Sequence, residues 1–118
     1  MNIAGYGQWS LDDIVVAQSN TGAVIQGKTE WGVVISNNCL CPQSELKLNC
    51  DGFQTVESVD PSILSVSGAQ CLVFHGQPIA RSSIVNFKYA WDTQFPLNPI
   101  SSLFDCSSVG GVEYFLMV

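Results

Sequence analysis

Charge is scarce in this chain. Only 12% of its 118 residues are Asp, Glu, Lys or Arg, and 4 Lys and Arg stand against 10 Asp and Glu, which gives a net charge of −6 at pH 7. A chain with so few cations cannot neutralise a run of phosphates, so we expect no nucleic-acid partner and no docking on an anionic membrane. No apolar run approaches the roughly 18 residues of a membrane-spanning helix.

The opening residues lack the features of a targeting segment. The stretch MNIAGYGQWS has no basic start and no apolar run of roughly 7–15 residues, so it is not a signal peptide. We therefore expect either a cytosolic chain or a mature form without its leader. The length of 118 residues fits a single domain that can bury a genuine core.

Histidine is also nearly absent, and this limits the chemistry that the chain can support. His75 is the one histidine, and its surroundings, FHGQP, are typical of a turn at the end of a strand. Asp12 and Asp13 are neighbours, which on a strand point to opposite faces rather than act as a pair. There is no G-x-G-x-x-G motif, P-loop or glycosylation sequon. We predict that the protein is not an enzyme and has no cofactor.

The cysteines are few and bunched. Three of the 5 lie in NNCLCPQSELKLNC, residues 37–50. A zinc site built from Cys39, Cys50, Cys71 and His75 is conceivable, but the spacing lacks the usual pair of knuckles. A redox pair at Cys39 and Cys41 would need a helix N-terminus after Cys41 to stabilise a thiolate, and no helix is predicted there. Disulfides are the favoured interpretation.

Alternation of apolar and polar residues dominates the sequence. It is clear over 28–37, 44–50 and 84–91, and the more apolar stretches 12–19 and 69–76 are typical of central strands. Turn residues separate these stretches, for example SNTG at 19–22, and Asp60 with Pro61 could open one helical turn. The pattern predicts an all-β protein, a single antiparallel β-sandwich with disulfide staples and no helix longer than three turns.

Five blocks of sequence carry a resemblance to a known family. They are DDIVVAQSNTG (12–22), VVISNNCLC (33–41), ELKLNCDGF (45–53), QCLVFHGQPI (70–79) and VNFKYAWDTQFPLNPISSLFDC (85–106). In order and spacing they resemble the tapetum determinant family of small secreted plant proteins. The resemblance assigns residues 1–106 to one domain of this type and leaves 107–118 as an apolar C-terminal tail that would add a strand.

The resemblance implies a function and a compartment. Members are extracellular, disulfide-rich ligands that bind the leucine-rich-repeat ectodomain of a receptor kinase and control cell fate. The family has six cysteines, and Trp9 or Ser10 stands here where the first would be. We therefore predict two disulfides among Cys39, Cys41, Cys50 and Cys71, with Cys106 as the free thiol.

Two turns are candidates for contact with a receptor. CDGF and FHGQP each place an aromatic residue beside a glycine, and we predict partner-binding roles for Phe53, Phe74, His75 and Gln77. The alternative for Phe53 and Phe74 is that both rings cap the core.

A second function stays open at this stage, an extracellular wall or carbohydrate-binding module. Trp31, Tyr89 and Trp91 could form an aromatic strip for a sugar. Core packing is the favoured interpretation of these rings, because Tyr89 and Trp91 share their parity with Val85 and Phe87.

Overall fold

The computed structural model describes residues 10–106. Its seven strands are β1 (Ile14–Ile25), β2 (Lys28–Asn37), β3 (Gln43–Asn49), β4 (Leu64–Ser67), β5 (Gln70–Val73), β6 (Ile84–Trp91) and β7 (Pro99–Phe104). Within this range the helical segments are two short 3-10 turns, Leu11–Asp13 and Phe74–Gly76. No helix among the described residues is long and apolar enough to cross a membrane. The predicted added strand at 107–118 lies outside the described residues and stays a prediction.

The strands form two antiparallel sheets, one in the order β1-β2-β6 and the other in the order β4-β5-β3-β7. Their inner faces pack on one another in a sandwich, which confirms the predicted fold class. The core consists of buried side chains from both sheets: Ile14, Val33, Ile35, Leu46, Leu48, Cys50, Leu64, Cys71, Val73, Ile79, Val85, Phe87, Tyr89 and Leu97.

The alternation in the sequence matches the two faces of the strands. In β3 the side chains of Leu46 and Leu48 are fully buried, while Glu45 and Asn49 are exposed. In β6 the odd-numbered residues point into the core, and Ile84, Asn86 and Lys88 point outward. Burying one parity of a strand fixes its register, because a slip of one residue would turn every apolar side chain to solvent.

One of the predicted turns differs in the structure, and another is present. Residues 19–22 do not reverse the chain but form a bulge inside β1, and the hairpin turn comes later, at Gln26 and Gly27, which both have positive φ. The single turn predicted at Asp60 is present: its side chain accepts a hydrogen bond from the Ser62 amide at 2.9 Å, and its carbonyl accepts from the amides of Ile63 at 2.9 Å and Leu64 at 3.1 Å before β4 begins.

Two disulfides staple the four-stranded sheet, and their pairing corrects one prediction. Cys50 is bonded to Cys71 and Cys41 to Cys106, so Cys39 rather than Cys106 is the free cysteine. The reason lies in the topology. β7 runs antiparallel to β3 with Gln43 opposite Phe104, so the residues just before β3 and just after β7 meet at one end of the sheet.

The free thiol of Cys39 is enclosed rather than available. Its side chain is buried, and its sulfur accepts a hydrogen bond from the Cys41 amide at 3.3 Å. The Cys39 amide donates to the side chain of Asn37, which also receives a bond from Gln43 and donates to the carbonyls of Cys41 and Ile79. Burial raises the pKa of the Cys39 thiol. The burial of the Cys39 side chain and the raised pKa of its thiol both keep this cysteine unreactive.

Candidate partner-binding surface

A tight turn between β5 and β6 holds three of the four predicted partner-binding residues. Phe74, His75 and Gly76 have φ values of 56°, 57° and 78°, so all three lie in the left-handed region. The Phe74 amide donates to the Ile63 carbonyl at 2.8 Å and the Gln77 amide to the Phe74 carbonyl at 3.0 Å, which fixes both ends of the turn. Non-glycine residues in this conformation are strained and occur often at functional sites.

Glycine is required at the third position of this turn. Gly76 is buried with a φ of 78°, a conformation that strains any residue with a Cβ atom, whereas the Glu45 carboxylate next to it is the mobile end of an exposed side chain. The backbone of Gly76 lies against the Glu45 carboxylate, and the side chains of Phe74, His75 and Gln77 around it are exposed to solvent. The turn therefore presents an aromatic, an imidazole and an amide from a fixed backbone.

Phe74 forms one wall of an open apolar groove of about 410 Å³ between the two sheets. The groove is lined by Ile63, Phe74, Ile79, Ser83, Ile84, Val85 and Asn86, and none of these carries a charge. Phe74 is 37% exposed and Ile84 62% exposed. These apolar side chains in contact with solvent make the groove a candidate surface for a protein partner.

The groove opens onto the outer face of the three-stranded sheet, where exposed apolar side chains continue. Val15 and Val34 point outward, Val34 lies opposite Asn86 in the strand register, and Ser36 lies opposite Ile84. This end of the sheet carries no charged side chain from β1, β2 or β6, since Lys88 lies farther along β6. The outer face and the groove together form a weakly charged surface.

The structure does not place Phe53 on this surface. Its ring packs against Tyr89 with 5.2 Å between centroids and against Phe95 with 5.3 Å. Tyr89 lies five residues along β6 from Ile84, which is about 17 Å in a strand. The position of Phe53 is that of a residue capping the core, whereas Phe74 stands at the groove.

Sequence reasoning missed the isoleucines of the groove. Ile84 lies on the outward parity of β6, together with Asn86 and Lys88. Ile84 is an apolar residue among the polar, outward-facing residues of β6, and this could have marked it in the sequence as a candidate for partner binding. For Ile63 and Ile79 there was none, because both lie in irregular segments that only the fold brings to the groove.

A pair of carboxyl groups lies at the other end of the outer face. The side chains of Glu30 and Glu57 lie close enough to affect each other's pKa, and the Thr21 hydroxyl donates to Glu30 at 2.6 Å. The bond from Thr21 lowers the pKa of Glu30, with a further contribution from Glu57, whereas burial raises the pKa of Glu57. Lys88 lies near both carboxyl groups and lowers the pKa of each, as a smaller contribution.

The aromatic residues considered for sugar binding do not form an exposed platform. Tyr89 is fully buried, and its hydroxyl donates to Gln18 at 2.7 Å and accepts from the Phe95 amide at 2.9 Å. Trp31 lies opposite Tyr89 and packs against the core, and the ring of Trp91 is covered on one face by the Lys28 ammonium, 5.0 Å from its centroid. Stacking on a sugar requires an open ring face, which Tyr89 lacks.

Comparison with known proteins supports the resemblance. The family described as "Tapetum determinant 1, C-terminal" matches residues 10–107. An uncharacterised protein of Arabidopsis thaliana is 30% identical over 118 residues, covering 83% of this chain and 92% of that protein.

Two relatives carry the family name. "TPD1 protein homolog 1" of Arabidopsis thaliana is 33% identical over 95 residues, covering 78% of this chain and 53% of its own length. "TPD1 protein homolog 1B" of Oryza sativa subsp. japonica is 32% identical over 90 residues, covering 75% of this chain and 53% of its own length. The chain thus spans about half the length of these two relatives. No solved structure matches the chain.

Proposed function

The chain belongs to the tapetum determinant family, and from that premise we propose that it is a secreted plant ligand that binds the ectodomain of a leucine-rich-repeat receptor kinase and controls cell fate or development. Membership of the family supports a plant signalling ligand in general terms. The receptor class, the secretion of this chain and its role in development are the finer parts of the proposal.

The match of the family over residues 10–107 is the observation that carries the proposal. The physical properties of the fold agree with it. Two disulfides and a continuous core hold the sandwich in one conformation, so little conformational entropy is lost on binding. Disulfides also persist mainly outside the reducing cytosol, which favours secretion. The weakly charged groove and outer face resemble the central part of a protein interface more than a surface kept in water.

The carbohydrate-binding alternative has less support. It depended on Trp31, Tyr89 and Trp91 as an exposed strip, and Tyr89 is buried with its hydroxyl engaged on both sides. Binding to wall glycans remains the outcome that would favour this alternative over a receptor.

A pull-down against a panel of purified leucine-rich-repeat ectodomains of plant receptor kinases tests the proposal. The oxidised chain should retain a member of the panel, and chain that has been reduced, alkylated and thereby unfolded should not. A panel without any specific binder, together with retention of the chain on cell-wall glycans, would contradict the proposal.

The surface is tested by two matched substitutions. Ile84→Ala removes a side chain that is 62% exposed on β6, and Leu103→Ala removes an isomeric side chain that is 60% exposed on β7 of the other sheet. Both variants should fold, because both side chains lie outside the core. We expect weaker binding for Ile84→Ala and unchanged binding for Leu103→Ala. The reverse result would place the receptor on the four-stranded sheet.

A further inference from the structure

The outer edge of β6 has a row of backbone groups with a defined direction. Asp13 and Asn38 continue the register of β1 and β2, and the Asn38 amide donates to the Asp13 carbonyl. In an antiparallel pair the backbone groups of every second residue point to the same neighbour, so the N–H and C=O groups of even-numbered residues of β2 point to β1 and those of odd-numbered residues point to β6. The odd-numbered residues of β6 accordingly pair with β2, and its even-numbered residues point away from the sheet.

The far end of this edge is already paired. The Val56 amide donates to the Ala90 carbonyl at 3.0 Å, and the Ala90 amide donates to the Thr55 hydroxyl at 2.9 Å. Within residues 10–106 no backbone group pairs with Ile84, Asn86 or Lys88 from that side, and all three residues are exposed. The segment at 55–56 thus covers the Ala90 end of the edge and leaves the edge at 84–88 open.

The apolar groove lies beside the open part of the edge. Side chains of a strand alternate between the two faces of a sheet. A strand added at Ile84–Lys88 would therefore direct every second side chain between the two sheets, toward Ile63, Phe74 and Ile79. The three-stranded sheet has one strand fewer than the four-stranded sheet on which it packs. The groove lies on the side of β6, where the additional strand would be.

The edge of β7 is a weaker candidate. The cleft on its side is smaller, about 240 Å³, and its lining includes the charged residues Glu45 and Lys47. An apolar side chain entering that cleft would have to displace water from both charges, which is costly.

The charges at the β6 edge indicate the chemistry of the occupant. Two of the four cations of this acidic chain, Arg81 and Lys88, are exposed at the two ends of the open edge. Arg81 has no carboxylate within ion-pair distance in the part of the chain that the structure describes, whereas Lys88 lies close enough to Glu30 and Glu57 to lower the pKa of both. A second copy of this chain, with its net charge of −6, is a poor occupant because like charges repel. The groove itself accepts uncharged, apolar side chains.

We infer that the open edge of β6 binds an extended segment of the receptor ectodomain as an added strand. Its alternate side chains are apolar and enter the groove, and its flank at the Arg81 end carries Asp or Glu. This inference rests on the proposed function and adds the mode of binding: backbone hydrogen bonds supply affinity, and the groove supplies specificity.

A proline at position 86 tests the inference directly. The Asn86 amide points away from the sheet, so Asn86→Pro removes the outward donor without breaking a hydrogen bond to β2, and proline is tolerated at such edge positions. Asn86→Ala is the matched control, since it removes the same side chain and keeps the amide. We expect Asn86→Pro to weaken binding of the ectodomain by about tenfold or more, and Asn86→Ala to change it by less than about twofold.

Amide hydrogen exchange gives a second readout that needs no substitution. In the free protein the amides of Asn86 and Lys88 should exchange rapidly, and the bound ectodomain should slow both. Slow exchange in the free protein would overturn the inference, because another part of the chain or a second copy would then occupy the edge. Exchange at these amides that the ectodomain leaves unchanged would overturn it as well.

Charge reversal tests the flanks of the edge. Arg81→Glu should weaken binding about tenfold, whereas Lys47→Glu, on the four-stranded sheet, should leave it unchanged. Equal effects of the two substitutions would contradict the predicted acidic flank.

The inference and the proposed function fail in different ways. An ectodomain that binds the wild type and Asn86→Pro equally well refutes the added strand and leaves the receptor in place. If no ectodomain binds, a library of linear nine-residue peptides selected on the folded chain replaces it as the probe. Peptides that bind the wild type and not Asn86→Pro support the edge site, and a selection without such peptides overturns it.

Discussion

At the residue scale, Cys39 shows how the identity of the free cysteine depends on contacts that are distant in sequence. Cys41 and Cys106 are 65 residues apart and bonded, while Cys39 is only two residues from Cys41 and free. We expect a thiol reagent to leave the folded protein unlabelled and to modify one cysteine after denaturation, because the thiol is buried and its pKa is raised. Peptide mapping should locate the label on Cys39. Label on Cys106 would contradict the disulfide pairing.

The carboxyl pair of Glu30 and Glu57 predicts a dependence of stability on pH. The folded-state pKa of Glu57 lies above the ordinary value of 4.5, so the stability it contributes is complete below pH 4.5 and is lost as the pH rises through the folded-state pKa. The lowered pKa of Glu30 acts in the opposite sense, since its contribution is present above pH 4.5 and is lost as the pH falls.

The variant Glu57→Gln isolates the first effect. Its amide can still donate to Glu30 but does not ionise, so the melting temperature of the wild type should fall relative to that of Glu57→Gln between pH 4.5 and neutral pH. Thermal scans across this range measure the difference. Asp51→Asn, an isosteric change in an exposed turn, is the control and should run parallel to the wild type. Parallel curves for Glu57→Gln would mean that burial does not raise the pKa of Glu57.

At the scale of the elements, the two aromatic residues next to glycines have separate positions and should respond differently to truncation. Phe53→Ala removes ring contacts with Tyr89 and Phe95 and should lower the free energy of unfolding by about 3 kcal/mol. Phe74→Ala removes a ring from the rim of the groove, so it should cost less than about 1 kcal/mol of stability and about 2 kcal/mol of receptor binding. Urea unfolding and a binding titration on the same preparations measure both quantities. A large loss of stability for Phe74→Ala would remove this turn from the proposed surface.

The strands that were predicted from the sequence are those in which every second side chain is buried. β2 and β6 begin and end where the alternation does, at 28–37 and 84–91, because the pattern itself records which face packs on the core. β4 and β7 were missed. β4 has four residues, too few for a pattern, and β7 lies at the edge with Ile100, Leu103 and Phe104 all exposed, so alternation does not mark it.

The same limit explains what was missed at the candidate surface. The pairing of β7 with β3 brings Cys106 to Cys41, and the packing of the turn at Phe74 on Ile63 forms the groove. The first joins segments 65 residues apart, and the second joins the two ends of the β4–β5 hairpin, whose first strand is too short to show a pattern. The structure places Phe74, His75 and Gln77 at one exposed turn and packs Phe53 against Tyr89 and Phe95, and the partner-binding roles of these residues stay predictions.

At the scale of the whole molecule, the two disulfides close loops of different length and should contribute unequally to stability. Cys50 and Cys71 are 21 residues apart, and Cys41 and Cys106 are 65 apart. In the chain-entropy account the shorter loop is worth about 3 kcal/mol and the longer about 4 kcal/mol. The paired variants Cys50→Ser with Cys71→Ser, and Cys41→Ser with Cys106→Ser, should follow that order in denaturant unfolding. Cys39→Ser changes a buried thiol without opening a loop, so a loss as large as that of either pair would contradict the ranking.

The central claim is that the folded, oxidised chain is a ligand for a receptor ectodomain. An equilibrium titration tests it most directly, with each purified leucine-rich-repeat ectodomain immobilised and the oxidised chain or its reduced and alkylated form in solution. The account predicts one-to-one, saturable binding of the oxidised chain to at least one ectodomain with a Kd of about 1 μM or tighter, and no binding of the reduced form. Failure of the oxidised chain to saturate any ectodomain, or equal binding by both forms, would contradict the claim.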